Sequence, residues 1–312
     1  MKQWLKDRAK ETVRSVTKKQ LAVTSVDDEL RLLQYMGQTN AAFSMLREYP
    51  SLMAESDEYS LTPYEFKVYS QNGEDGVLGW IFSTIGVHDY RFVEFGIEDG
   101  RECLSALLSL HCGWRGLLMD CDEDSVRAAR GYYGNRLLGH AERVAIEHAF
   151  VTRDNINGLL EDAGMKGEID LLVIDIDGND YWVWEAVEVI QPRVVVIEYN
   201  ASFGSDQPVT IPYEANFDRM AAHPSGFYHG ASLVAMEFLG GRKGYGLVGC
   251  ESNGVNAFFV RRDLIEEPLR EVSAHDAFFP HYRRLQRGFS QDEQRKMVSQ
   301  LPTIHVAAEQ NA

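Results

Sequence analysis

The sequence predicts an α/β protein with a mostly parallel, seven-stranded sheet, a C-terminal antiparallel hairpin and an N-terminal helical extension. Three observations predict it. From Tyr69 onward, short apolar runs alternate with helical stretches, the pattern of parallel strands joined by crossover helices. Five such runs follow one another before the pattern changes. The last two runs are then separated only by Glu251 to Asn256, a connection too short for a parallel crossover.

The five parallel runs are Arg91 to Gly96, Gly116 to Asp120, Val144 to Phe150, Ile169 to Asp175 and Val194 to Glu198. Helices are expected between them at roughly 102–112, 124–133, 154–163 and 180–190. A further helix is expected from Ala231 to Leu239. Tyr245 to Cys250 and Ala257 to Arg261 then pair antiparallel, with Asn253-Gly254 at the turn. Five parallel strands, a helix and a terminal hairpin make up the layout of class I methyltransferases. A dinucleotide-binding domain would continue with parallel strands.

The 312 residues, 45% of them hydrophobic, suffice for one large α/β domain plus an appendage. We divide the chain into a helical extension over 1–60, a cofactor-binding domain over 61–265 and a tail over 266–312. The tail is expected to form a lid or a contact between copies of the chain. No window reaches the ~18 consecutive apolar residues of a membrane helix. The N-terminus lacks the apolar core of a secretory signal, so the expected location is cytoplasmic. Cys103, Cys112, Cys121 and Cys250 form no Cys-x-x-Cys pair, which argues against a structural zinc site and a disulfide framework.

A net charge of −16 argues against nucleic acid as a partner, because a phosphate backbone is bound by clustered Lys and Arg. The charge is uneven: residues 1–20 are net +5 and the remainder is −21. The basic extension is either a solvated arm or a contact for a partner or an anionic membrane surface.

The strongest local signal is Glu94-Phe-Gly96-Ile-Glu-Asp99-Gly100, at a strand end that leads into a helix. Glycine there lets backbone approach a ligand closely. Glu94 is placed for the ammonium of a cofactor's amino-acid end. The spacing is Gly-x-x-x-Gly, so the pyrophosphate fingerprint of nicotinamide enzymes is incomplete. Asp120 ends the next strand, where an acidic residue hydrogen-bonds ribose hydroxyls. Asp120 and Asp122 alternatively cap the following helix. Phe150, at the end of the third run, is either an adenine wall or part of the core.

Ligands of open α/β sheets lie beyond the carboxyl ends of the strands. Asp175, Asp177 and Asp180 follow the fourth strand, and Glu198 and Asn200 end the fifth. Asp175, Asp177, Glu198 and Asn200 are oxygen donors suited to Mg2+ or another hard divalent cation, which would hold and acidify an acceptor hydroxyl. Helix capping by Asp177 and Asp180, and pairing of Glu198 with a buried Arg, are the alternatives. His229, with His223 near it in sequence, is a second candidate base, or else a structural histidine.

Phe66-Lys-Val-Tyr-Ser-Gln-Asn-Gly-Glu-Asp-Gly76, Phe92 to Gly96 and Gly113-Trp-Arg-Gly116 resemble FkbM-type class I methyltransferases. Ile174 to Trp184, Ile197-Glu-Tyr-Asn200, Val209 to Tyr213, Gly230 to Leu233, Lys243 to Tyr245 and Asn256 to Arg261 resemble a branch of them associated with bacterial surface-polysaccharide and secondary-metabolite genes. The likeness covers roughly residues 62 to 290. It implies S-adenosylmethionine as cofactor and O-methylation of a sugar or small metabolite. It also implies that the segment before the first strand lines the pocket, which makes Gln71, Glu74 and Asp75 candidates; the alternative is a helix start capped by Ser70 or Asn72. A second likeness is to cation-dependent O-methyltransferases of the catechol and caffeoyl-CoA type. These carry Asp-x-Asp with a Tyr six residues after the first Asp, as Asp175, Asp177 and Tyr181 do here. Their next strand ends in adjacent Asp-Asn, whereas Tyr199 separates Glu198 from Asn200 in this chain. The rival readings are an NAD-dependent oxidoreductase and a non-catalytic protein that binds the cofactor or a partner within a polysaccharide assembly.

Overall fold

The computed structural model describes residues 59–137 and 139–306, together with Gly37. The helical extension expected over 1–60, with its basic arm, lies almost wholly outside the described residues. Helix α1 (Glu74–Ile85) precedes β1 (Arg91–Phe95), and then elements alternate: α2 (Ala106–His111), β2 (Arg115–Asp120), α3 (Glu123–Arg136), β3 (Val144–His148), α4 (Ile156–Asp162), β4 (Gly167–Ile174), α5 (Asp180–Ala186) and β5 (Ile190–Glu198). A two-residue strand β6 (Val209–Thr210) and a short α6 (Arg219–Ala222) lead to α7 (Leu233–Lys243) and the pair β7 (Tyr245–Cys250) and β8 (Asn256–Arg261). Three short helices, α8 (Ala274–Ala277), α9 (Tyr282–Gln286) and α10 (Gln291–Val298), and a strand β9 (Ile304–His305) complete the described chain.

The main sheet has the order β3-β2-β1-β4-β5-β8-β7. Neighbours among β1 to β5 run parallel, while β8 is antiparallel to both β5 and β7. This is the seven-stranded, Rossmann-like fold of class I methyltransferases, as the runs and the short last connection predict. Both sheet faces are covered, so the central strands are apolar throughout rather than alternating. Phe92, Leu171, Val173, Val194 and Val196 pack on one side with Val77 and Ile81 of α1. Val93, Phe95, Leu172, Ile174, Val195 and Ile197 pack on the other with Trp184 of α5 and Met236 and Leu239 of α7. Each such side chain stabilises the fold by about 1.5–3 kcal/mol.

Several boundaries differ from expectation by up to four residues, two of them for reasons visible in the sheet. Helix α5 stops at Ala186 rather than near 190, because β5 begins at Ile190 and pairs from there with Gly167 of β4. Strand β3 stops at His148 rather than Phe150, because its partner β2 ends at Asp120, whose carbonyl accepts the last ladder bond, from the Ala149 amide at 2.9 Å. The Asn253-Gly254 turn joins the hairpin as predicted. Gly254 has φ +73°, and a Cβ there would lie 2.5 Å from the carbonyl oxygens of Phe279 and Pro280. The hairpin turn is thus packed under the C-terminal segment. That segment folds back on its own chain: β9 pairs with β6, and the Tyr199 hydroxyl donates to the Phe279 carbonyl at 2.7 Å. No helix among the described residues is long and apolar enough to cross a membrane.

Candidate functional site

A cavity of about 810 Å3 runs along the carboxyl ends of the parallel strands. Gln71, Glu94, Gly96, Asp99, Asp120, Asp122 and Phe150 line one side of it, and Asp175, Asp177 and Glu198 line the other.

The first side is built by carboxylates that hold loops in place. Glu94, at the end of β1, is buried and accepts from the backbone amides of Leu104 at 2.8 Å and Ser105 at 2.9 Å, and from the Ser105 hydroxyl. It therefore secures the start of α2 while lining the cavity; burial raises its pKa. Asp120 accepts from the Glu98 amide at 2.7 Å and the Asp122 amide at 2.9 Å. One carboxylate thus fixes the loops after β1 and β2 relative to each other. Asp122 is the N-cap of α3, accepting from the Ser125 amide at 2.7 Å, as the capping alternative anticipates. Phe150 is 48% exposed at the cavity wall and is not a core residue.

Gly96 meets a second demand besides ligand approach. Its φ is +75°, and a Cβ there would sit 1.6 Å from the Asp175 carbonyl oxygen, so the absent side chain is what lets the loops after β1 and β4 touch. Gly100, at φ +76°, packs against Ala129 and Tyr133 of α3. Glu98 and Asp177 also have positive φ, +49° and +56°. Non-glycine residues rarely adopt that region, and such strain concentrates at functional sites.

Neither Ser70 nor Asn72 is the N-cap residue of α1, although the Ser70 hydroxyl accepts from the first-turn Asp75 amide at 3.1 Å. Gly73 is the N-cap, with no side-chain bond. Asp75 instead reaches back and accepts from the amides of Val68, Tyr69 and Ser70 at 2.9, 2.7 and 2.8 Å. Burial pushes its pKa up to about 6 against those donors. Glu74 is buried too, and accepts from Asn256 of β8 at 2.9 Å. Both carboxylates shape the loop that carries Gln71 to the cavity.

On the second side, Asp180 clasps the loop after β4, accepting from the amides of Ile176 at 2.8 Å and Gly178 at 2.9 Å. Asp177 is exposed and ion-paired with Arg219. Asp177, Glu198 and His229 have ligand atoms within 4.8 Å of one another. Asp175 does not join that group, and burial raises its pKa far above the carboxylate range. Asn200 must be corrected as a candidate ligand. Its oxygen accepts from the Ser202 amide at 3.0 Å and Arg284 at 2.8 Å, and its amide donates to the carbonyls of Phe227 at 2.6 Å and His229 at 2.8 Å. All four of its hydrogen-bonding positions are filled, so it is a strut under the site.

Arg284 is the residue that sequence reasoning missed. It comes from α9 in the C-terminal segment and is 6% exposed. It donates to Ser202 Oγ at 2.7 Å and to His229 Nε2 at 2.9 Å. A neutral imidazole accepting at Nε2 carries its proton on Nδ1. His229 Nδ1 then faces Glu198 Oε2 at 3.5 Å. Neither atom has a hydrogen-bond partner within normal distance, although both are buried. Burial, followed by Arg284, holds the His229 pKa well below its usual value. Burial, followed by Asp175, Asp177 and Asp180, holds Glu198 well above the carboxylate range. His223, the other nearby histidine, contacts Ser225 at 2.8 Å and is not in the cluster.

No protein-family model matches the chain, and no curated protein is similar to it. Solved structures are similar to it over much of its length. The O-methyltransferase from Bacillus cereus in complex with SAH is 15% identical, covering 72% of this chain and 89% of its own, with a TM-score of 0.41. Cofactor-bound Rv0187 from MTB is 16% identical, covering 72% and 90%, with a TM-score of 0.40. The N-terminal domain of EvdMO1 with SAH bound is 10% identical, covering 70% and 94%, with a TM-score of 0.37.

Proposed function

We propose that the chain is an S-adenosylmethionine-dependent methyltransferase that O-methylates a sugar or small metabolite, as the FkbM-type motifs imply. The observation that carries the reading is the single cavity spanning the strand ends of a class I methyltransferase sheet, with Asp120 and Phe150 at one end and Glu198 at the other. Its volume of about 810 Å3 falls within the range of small-molecule sites.

The lining residues fit the cofactor. Asp120 has lone pairs left for the ribose hydroxyls after holding two amides. Phe150 offers an apolar face to adenine, with Asp122 at the rim. Gly96 and Asp99, with Gln71 and Glu94, line the part of the cavity suited to the amino-acid end, while Gly100 packs the turn against α3. S-adenosylmethionine supplies an electrophilic methyl on a sulfonium that departs as a neutral thioether. The remaining task of the protein is alignment, which supplies several kcal/mol of about 7–11 available from positioning.

The acceptor hydroxyl must lose its proton as the C–O bond forms. His229 is a poor candidate for that role, because Nε2 accepts from Arg284 and Nδ1 then holds the proton. Glu198 is the better base: Oε2 is buried, unpartnered and aimed at the cavity cluster. A carboxyl whose pKa is raised toward the working pH is suited to proton transfer. The second reading is a divalent cation held by Asp177, Glu198 and His229, favoured by their mutual approach within 4.8 Å. It requires the His229 ring to turn its proton away from Glu198.

The test is calorimetric titration with S-adenosylhomocysteine and with NAD, each with and without magnesium. Micromolar binding of the former, weakened at least tenfold by Asp120→Ala, a loss of roughly 1.4 kcal/mol or more, is expected. Binding of NAD alone would establish the oxidoreductase reading, and binding of neither would favour a partner-binding role. Tighter acceptor binding with magnesium would favour the cation.

A further inference from the structure

Most of the described arginines lie within 4.0 Å of a carboxylate, among them Arg101, Arg193, Arg219, Arg261 and Arg295. Arg283, Arg284 and Arg287 do not, and they lie together on α9 and just after it. All three line the cavity. In a chain of net charge −16, three guanidinium groups without a carboxylate in direct contact are thus gathered on one wall of the cavity.

Arg284 sharpens the point. It is buried, yet its acceptors Asn200, Ser202 and His229 are all uncharged. Burial lowers its pKa to about 10, so it remains a cation at neutral pH. Glu198 and Asp177 are the carboxyls whose charge it feels, but neither forms a direct ion pair with it; their close contacts are His229 and Arg219. A buried guanidinium with no carboxylate in direct contact is costly. Arg283 and Arg287 are exposed at the same rim, and His281 Nδ1 is buried beside them without a partner. These groups belong to the acceptor half of the cavity. Arg284 touches Asn200 just past the end of β5, whereas Asp120 ends β2, three strand spacings or about 14 Å away across the sheet.

We infer that the acceptor carries a phosphoryl group, as a sugar phosphate or nucleotide-activated sugar does, and that Arg283, Arg284 and Arg287 hold it. Several guanidinium groups match the charge and the three oxygens of a phosphoryl better than they match an uncharged sugar. The inference rests on the methyl-transfer reading for the term acceptor, but the anion site can be measured without it.

The experiment titrates the full chain with hexose 1-phosphate, UDP, inorganic phosphate, glucuronate and free hexose, with and without S-adenosylhomocysteine. Phosphorylated probes are expected to bind at least about tenfold more tightly than free hexose, and less tightly as salt rises. Tighter binding of UDP than of hexose 1-phosphate would identify the nucleotide-activated source, and the reverse the simple sugar phosphate. The double variant Arg283→Gln/Arg287→Gln changes only exposed side chains. It is expected to lose about tenfold in affinity for the phosphorylated probe, with its melting temperature and S-adenosylhomocysteine affinity unchanged. Equal affinity for all sugars, preference for glucuronate, or an unaltered double variant would overturn the inference. Arginine-dependent phosphate binding in a protein that binds no S-adenosylhomocysteine would leave the anion site standing while the methyltransferase reading fell.

Discussion

Arg284 Nη2 lies 2.9 Å from His229 Nε2, and the opposite nitrogen of that ring faces Glu198 Oε2 at 3.5 Å. The arginine thereby sets the tautomer of the histidine, which turns Nδ1 toward a buried carboxylate oxygen of the cluster that lacks a hydrogen-bond partner. Each group is uncomfortable alone: a buried cation, a buried neutral ring and a buried carboxyl. Together they form a polarised line from the C-terminal segment to the end of β5.

If Glu198 takes the acceptor proton, Glu198→Gln should lower kcat by about 10²–10⁴-fold while changing S-adenosylhomocysteine affinity little. Burial raises the Glu198 pKa, so the base form accumulates as pH rises, and the rate should climb with pH above the ordinary carboxylate range. Single-turnover rates of the variant across the same pH range should lack that rise. A rise that persists would assign it to another group.

Phe150 lends no packing to the core, being 48% exposed. Phe150→Ala should therefore leave stability within about 0.5 kcal/mol, as exposed substitutions usually do. Loss of an aromatic wall should weaken S-adenosylhomocysteine binding by up to roughly tenfold, or about 0.5–1.5 kcal/mol. Thermal melts and calorimetry on one preparation separate the two effects. A large drop in melting temperature with unaltered binding would place the ring in the core after all.

Gly96→Ala should be severe. The new methyl would meet the Asp175 carbonyl at 1.6 Å in a backbone region that disfavours side chains. The loops after β1 and β4 would have to part, at a cost of about 3 kcal/mol or more. Denaturant unfolding measures this directly, and a loss below about 1 kcal/mol would mean the two loops separate easily.

Glu251, which does not itself line the cavity, provides a stability test. It accepts from the amides of Asn253 and Val255 at 2.6 Å each and of Asn256 at 3.0 Å, and so closes the hairpin turn. Burial, with Glu74 next, pushes its pKa up to about 7. A carboxyl with a raised folded-state pKa binds its proton more tightly when folded. Its contribution is complete below the unfolded pKa and is lost as pH rises toward 7. Stability should therefore fall by up to about 3 kcal/mol between pH 4.5 and 7 relative to Glu251→Gln, as read by denaturant midpoints. Parallel pH profiles for the two proteins would show that the carboxyl titrates normally.

Much of this protein is legible in one dimension. Alternation between apolar runs and helical stretches is a local property, so the five parallel strands could be placed to within a few residues. The six-residue connection before Ala257 dictates an antiparallel pair by chain length alone. Strand-end positions also carry Asp120 and Glu198 to the cavity, because the carboxyl ends of parallel strands share one edge of the sheet.

What the tertiary structure decided is how those polar groups divide their hydrogen bonds. Asn200 reads as a ligand from its place after β5, but its four bonding positions are consumed by partners up to 84 residues away, Arg284 among them. Asp75 and Asp180 read as site residues or helix caps, and in the fold they clasp loops. Arg284 has no local pattern that marks it, because its partners Asn200 and Ser202 follow β5 and His229 lies in the stretch before α7. Burial of a charge, and hence its pKa and its need for a counter-ion, is a property of the assembled neighbourhood. That is why the backbone plan follows from the order of the residues, while the chemistry of the cavity follows only from their packing.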